Sequence, residues 1–140
     1  MNPAIIVNFD KQYQPVIKHI RTSVFTLEQN VPEALDFEGK DPDATHALVQ
    51  DGDRYVGTGR LLGDGHIGRV AVLQEYRQRG FGKSIIAALI DAASQLGLAR
   101  VFLGAQLHAV DFYKTLGFSE YGEVFVDAGI EHIHMERKIR

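Results

Sequence analysis

The sequence predicts an α/β domain: a mixed, mostly antiparallel sheet with flanking helices. Three observations carry that expectation. First, the runs Thr45 to Gln50, Arg54 to Leu62 and His66 to Leu73 are separated by D-G-D and G-D-G. Both separators are hairpin turn signals, so three antiparallel strands follow one another. Second, two longer stretches, Tyr13 to about Leu27 and Gly82 to about Leu96, repeat apolar residues at helical spacing. Third, Arg100 to Ala105 is apolar on both faces (Val101, Leu103 and Ala105; Phe102 and Gly104), as expected of a strand buried on both sides.

The remaining elements follow in order. Ala4 to Phe9 is a short apolar run, read as an edge strand. In the first helix the repeating positions are Val16, Ile17, Ile20 and Val24. Asn30 to Asp43 holds two prolines, a glycine and five acidic residues, and reads as a loop with room for one helical turn. In the long helix Ile85, Leu89, Ala92 and Leu96 make one stripe, widened by Ile86, Ile90 and Ala93, and Gly97 suits the position after its end. A shorter helix runs from about His108 to Leu116, with Ala109, Phe112, Tyr113 and Leu116 on one side and Gly117 as its stop. His132 to Ile139 alternates and reads as a last strand. The order is β-α-β-β-β-α-β-α-β, with no repeat, low-complexity tract or linker, so residues 1 to 140 are expected to form one domain.

Composition narrows the function classes. The chain has 140 residues, 45% of them hydrophobic and 24% charged, ordinary values for a globular domain. A net charge of −3 lacks the basic excess of nucleic-acid binders. No apolar run approaches the ~20 residues of a membrane span, and no basic-then-apolar leader opens the chain. There is no cysteine, which excludes disulfides, thiolate metal sites and a catalytic thiol and suits the cytoplasm, the compartment expected.

The densest chemical information lies from Arg69 to Ser84, R-V-A-V-L-Q-E-Y-R-Q-R-G-F-G-K-S. A short strand feeds a basic, glycine-bearing turn that opens straight into the long helix. The first N–H groups of that helix have no intrahelical partner and sit at the positive end of its dipole, so the turn suits a phosphate-bearing ligand. It is no Walker loop, because Arg77 stands where the first glycine belongs. Nor is it a dinucleotide fingerprint, because Ile85 holds the third glycine position.

What remains is R-x-x-G-x-G after a V-A-V strand, followed downstream by F-Y-K-T-L-G-F. This pattern resembles the GNAT superfamily of acyl-CoA-dependent N-acyltransferases, and the element order extends the resemblance over nearly the whole chain. The resemblance implies a sheet in which the strand before the loop splays from its parallel neighbour and admits the pantetheine arm of acyl-CoA. It places main-chain groups of Val70, Ala71 and Val72 on the pantetheine and acyl group. Main-chain N–H groups of Gln78, Arg79, Gly80, Phe81, Gly82 and Lys83 fall on the pyrophosphate, with Arg77, Arg79 and Lys83 adding positive charge. It makes Tyr113 the acid that protonates the leaving thiolate, a role suited to a phenol with an ordinary pKa of about 10. Phe112 and Lys114 then line the cofactor channel, and Gln106 matches, loosely, a position that often carries Asn.

The segments V-F-T-L-E-Q-N-V-P and D-A-G-I-E-H-I-H-M resemble the YjcF/ElaA-like branch. In that branch the E-Q pair, Glu28 and Gln29, and the terminal segment with His132 face the acceptor. Glu28 is the first candidate for the base that deprotonates the attacking ammonium; His132 and Glu75 are weaker ones, and a structural role for Glu28 stays open. His132 and His134 form H-x-H, but nothing in the spacing supplies further ligands, so no metal is expected. The acidic residues Glu33, Asp36, Glu38, Asp41 and Asp43, beside the expected acceptor mouth, hint at a cationic acceptor.

The resulting expectation is transfer of an acetyl group from acetyl-CoA to a small-molecule or peptide amine by direct attack. A non-catalytic CoA-binding module or a different acyl donor stays open as an alternative. A second copy of the chain is an open partner; nucleic acid and membrane are not expected.

Overall fold

The computed structural model describes residues 3–139 and divides the strands into two sheets. Strands β1 (Ile5–Val7), β2 (Thr45–Asp51), β3 (Arg54–Leu61) and β4 (Ile67–Val72) form one antiparallel sheet in that order. Strands β5 (Arg100–Gln106), β6 (Ser119–Asp127) and β7 (Ile130–Lys138) form the second, in the order β5-β7-β6. β4 and β5 run parallel but meet only at a bridge between His66 and Phe102, where the Phe102 N–H donates to the Gly65 carbonyl at 3.0 Å. Beyond that point they diverge, as the resemblance implied.

β6 is the element missing from the predicted order. Its residues, S-E-Y-G-E-V-F-V-D, are mostly exposed, and its register shifts between Tyr121 and Phe125, so the alternation that marks a half-buried strand is broken. The turn joining it to β7 has positive φ at both Ala128 and Gly129, a hairpin geometry usually signalled by Asn-Gly.

Helix α1 (Gln14–Arg21) begins with a proline in its first turn and buries Ile17 and Ile20 against Val7, Leu48 and Leu73. It continues as a π-helix over Thr22–Glu28, where Gln29 N–H donates to the Val24 carbonyl at 3.1 Å. The run T-S-V-F-T is poor in strong α-formers, and the wider turn brings Val24, Phe25, Glu28 and Gln29 to one cleft. A single turn, α2 (Glu33–Asp36), lies in the acidic loop.

Helix α3 (Phe81–Gln95) buries Ile85, Ile86, Leu89 and Ala93 against β2 and β3. It lies so close to β3 that a Cβ on Gly57 or Gly59 would stand 2.8 or 2.6 Å from the Ile85 side chain. These glycines allow the close approach. The short helix α4 (Val110–Thr115) follows β5 through a 3₁₀ turn.

Candidate active site

The divergence of β4 and β5 opens a cleft of about 1010 Å³. On its β4 side the ladder partner is β3 alone, so the main chain of Val70 to Val72 has no strand beside it on the cleft edge. The loop after β4 closes one end. Gly80 caps α3 with φ 88°, a left-handed conformation that a Cβ disfavours. No side chain caps this helix, and its first turn contains no acidic residue. The leading N–H groups therefore face the cleft uncompensated, at the positive end of a 15-residue helix. Gly82 is helical. Its requirement is space, since a Cβ there would lie 3.3 Å from the Phe112 ring.

Of the expected cofactor residues, Val70, Ala71, Val72, Arg77, Gln78, Gly80, Phe81, Gly82, Lys83, Gln106 and Phe112 all line the cleft. Two expectations need correction. The Arg79 side chain turns away, lying over the Tyr76 ring and 3.9 Å from Asp51. Lys114 points outward and pairs with Glu120 at 2.8 Å, because the helical spacing of F-Y-K sets Lys114 off the face that Tyr113 buries. The Glu120 contact also raises its pKa.

Tyr113 is 9% exposed, lines the cleft, and is held edge-on by the rings of Phe112 and Phe118. Burial pushes its hydroxyl up to about 12. Among the described residues no side chain or main-chain group hydrogen-bonds that hydroxyl.

Glu28 and Gln29 reach the same cleft from the end of the π-helix. Both Glu28 oxygens accept from Arg77, at 2.6 and 2.7 Å, while Arg77 Nε donates to the Val72 carbonyl at 2.9 Å. Arg77's hydrogen bonds, assisted by its charge, hold the Glu28 carboxyl below the usual range. Gln29 accepts from Gln106 Nε2 at 3.0 Å, tying the π-helix to β5. Glu75 does not line the cleft; it sits on the exposed 3₁₀ turn Gln74–Tyr76.

The opposite wall is the outer face of β5, β7 and β6. The expectation that β5 is buried on both sides fails here: Val101, Leu103 and Ala105 face the core, while Phe102 and Gly104 face the cleft. His132 and His134 share this face of β7, as the H-x-H spacing requires. The His132 ring meets the Ile130 carbonyl at 2.7 Å through Nδ1, so Nδ1 is the donor, and in the neutral ring Nε2 carries the lone pair. Tyr121 and Phe125, on the unforeseen β6, complete the wall with His66.

The acidic loop departs most from expectation. Arg21 (1% exposed) donates to Asp36 at 3.0 Å and Asp41 at 2.6 Å. Arg60 donates to Asp41 at 3.0 Å and Glu38 at 2.6 Å. Arg69 pairs with Asp36 and Glu38. Three carboxylates of the loop are thus neutralised by three arginines, and the proposed attraction for a cation rests on no free charge at Asp36, Glu38 or Asp41. The arginines lie on α1, β3 and β4, remote in sequence, so their partners were not visible in the loop itself.

Comparison with known proteins agrees with this geometry. The model of the acetyltransferase (GNAT) domain matches residues 10–139. The chain is 37% identical to the uncharacterized N-acetyltransferase YjcF of Bacillus subtilis (strain 168), over 94% of this chain and 96% of that one. The crystal structure of Escherichia coli ElaA superposes with a TM-score of 0.85 at 28% identity, covering 97% of this chain and 99% of that one. An aminoglycoside 6'-N-acetyltransferase complexed with coenzyme A shares the fold, with a TM-score of 0.76 at 16% identity over 97% of each chain. No helix among the described residues is long and apolar enough to cross a membrane. A splayed strand pair, an uncapped helix beside it and a family match across almost the full length converge: the chain belongs to the GNAT family of acyl-CoA-dependent N-acetyltransferases.

Proposed function

We propose that this protein transfers an acetyl group from acetyl-CoA to a primary amine by direct attack. The observation that carries the reading is the uncapped N-terminus of α3 opening onto the cleft that holds Tyr113. Acetyl-CoA supplies the activated acyl group. The residues present fit it: N–H groups from Gln78 to Lys83 would hold the pyrophosphate, and the unpaired edge of Val70 to Val72 would hold the pantetheine amides. Lys83 adds positive charge, while the Arg77 guanidinium is already paired with Glu28.

The balance of the reaction is one C–N bond formed, one C–S bond broken, and two protons lost from the ammonium: one to the base and on to solvent before attack, and one to the departing sulfur. Tyr113, with a pKa of about 12, stays protonated throughout the working pH range. Complete transfer of its proton to a thiolate of pKa about 8.5 would cost about 5 kcal/mol. That magnitude favours Tyr113 as a hydrogen-bond donor to the sulfur, with the proton finally delivered from the amine side. For the base we assign His132 over Glu28. A carboxylate held by two hydrogen bonds from Arg77 is a weakened acceptor, whereas the Nε2 lone pair of His132 is free and its ring lines the cleft.

Thiol release from acetyl-CoA, measured across a panel of primary amines, tests the reading. Amine-dependent release with formation of the N-acetyl product supports it. Tight acetyl-CoA binding without turnover of any amine supports a binding module instead.

A further inference from the structure

The acceptor half of the cleft carries aromatic rings where a polycation would need carboxylates. Phe125 stacks on His134 with ring centroids 4.3 Å apart and on His132 at 5.6 Å. His134 stacks on Tyr121 at 5.3 Å, and across the cleft vertex His66 stacks on Phe102 at 5.0 Å. The wall is continuous because Gly104 has no side chain. A Cβ there would lie 3.1 Å from the Phe125 ring, so the glycine lets that ring lean over β5. The wall already takes a cation: the Arg100 guanidinium lies 4.6 Å from the Phe102 ring centre and 5.9 Å from that of Tyr121.

Charge points the same way. The carboxylates lining the cleft are Glu28, Asp36 and Asp127. Glu28 is bound by Arg77, and Asp36 is buried under Arg21 and Arg69. Of these three, Asp127 alone has no ion pair with another described residue. A polyamine or a lysine-rich segment would find one free counter-charge.

We infer that the acceptor is an arylalkylamine, a single primary amine on a flat aromatic body that stacks on the Phe102–Phe125–Tyr121 wall. This rests on the acyl-transfer reading of the same cleft. Ring stacking supplies the binding of the flat body, and the ammonium gains from the ring faces before it loses its proton. The imidazole of His132, beside Phe125, stands next to the amine so placed.

The test compares 2-phenylethylamine with 2-cyclohexylethylamine, which has the same carbon skeleton without planarity, and with spermidine. Acetyl-CoA is the donor and thiol release the readout. We expect kcat/KM for 2-phenylethylamine to exceed both by about tenfold or more. Phe125→Leu keeps apolar bulk and removes the ring. It should bring the phenyl-to-cyclohexyl ratio towards one while acetyl-CoA affinity stays within about twofold. Phe102→Leu is the second variant should the first fail to fold. Equal or better use of 2-cyclohexylethylamine or spermidine overturns the inference and leaves the acyl-transfer reading standing, as does a ratio unchanged in both variants. Binding of 2-phenylethylamine, followed by saturation-transfer NMR, separates the remaining cases. Binding that Phe125→Leu abolishes, without acetylation, keeps the aromatic subsite and overturns the transfer reading; no binding overturns the subsite.

Discussion

At Tyr113 one fact, burial against Phe112 and Phe118, does two jobs. It fixes the ring by the core and keeps the hydroxyl protonated. Tyr113→Phe keeps the packing and deletes the donor. Turnover should fall by ~10²–10³-fold, the loss of one hydrogen-bond donor to developing charge, with acetyl-CoA affinity within a few-fold by calorimetry. Unchanged turnover would reduce Tyr113 to a packing residue. Glu28 and His132 are told apart by substitution. His132→Gln should lower turnover by ~10²–10⁴-fold with acetyl-CoA affinity little changed. Glu28→Gln should leave most of the turnover, and because both partners of the Arg77 pair are about a third exposed, it should cost no more than about 1 kcal/mol of stability. The reverse pattern would return the base role to Glu28.

At the scale of elements, two pieces shape the cleft. The helix dipole of α3 works only if its N-terminus is open. Gly82→Glu puts a carboxylate there and forces a Cβ against Phe112, so acetyl-CoA binding should be abolished in a protein that still folds. Calorimetry on the purified variant decides, and unchanged affinity would remove the loop from the site. The second piece is the arginine–carboxylate network that pins α2 and the acidic loop to α1, β3 and β4. Arg21→Met leaves Asp36 and Asp41 buried with too little positive charge, a loss on the order of 3–5 kcal/mol. Urea unfolding of parent and variant measures it; a loss below about 1 kcal/mol would mean the network is dispensable.

The whole molecule should lose stability in acid in two stages. His46 is buried, donates Nε2–H to the Asp41 carbonyl at 2.9 Å, and leaves Nδ1 buried without a partner. Burial holds its pKa below the ordinary 6.5, and His66 shifts the same way for the same reason. The unfolded chain therefore takes up these protons first, so stability falls as pH drops below about 6.5. Burial alone would raise Asp41 and Glu38. The hydrogen bonds and charges of Arg21 and Arg60 on Asp41, and of Arg60 and Arg69 on Glu38, outweigh it and hold both below their ordinary values. Their contribution is present above about pH 4.5 and lost as pH falls through their folded-state values. Melting temperature should thus decline from pH 7.5 to 5.5 and fall further below 4.5. His46→Gln, which retains a donor for the Asp41 carbonyl, should shrink the first stage and leave the second.

The sequence by itself determined the features written in short-range periodicity and turn chemistry. These are the three hairpin strands, the stripe of α3, the bare glycine loop before it, and Tyr113 on the buried side of α4. Such signals lie within a few residues of one another and need no partner from elsewhere to be read. Tertiary structure decided what depends on distant residues. Arg77 meets Glu28 at the cleft and weakens the residue that the resemblance made the first candidate base. Arg21, Arg60 and Arg69 absorb an acidic run that in isolation reads as an open negative surface. β6 exists because β7 offers it a ladder, and with it come Tyr121 and Phe125, two of the three rings in the wall proposed to take the acceptor. A charge's worth and an exposed strand's existence are both set by what packs beside them, and that is information no local window contains.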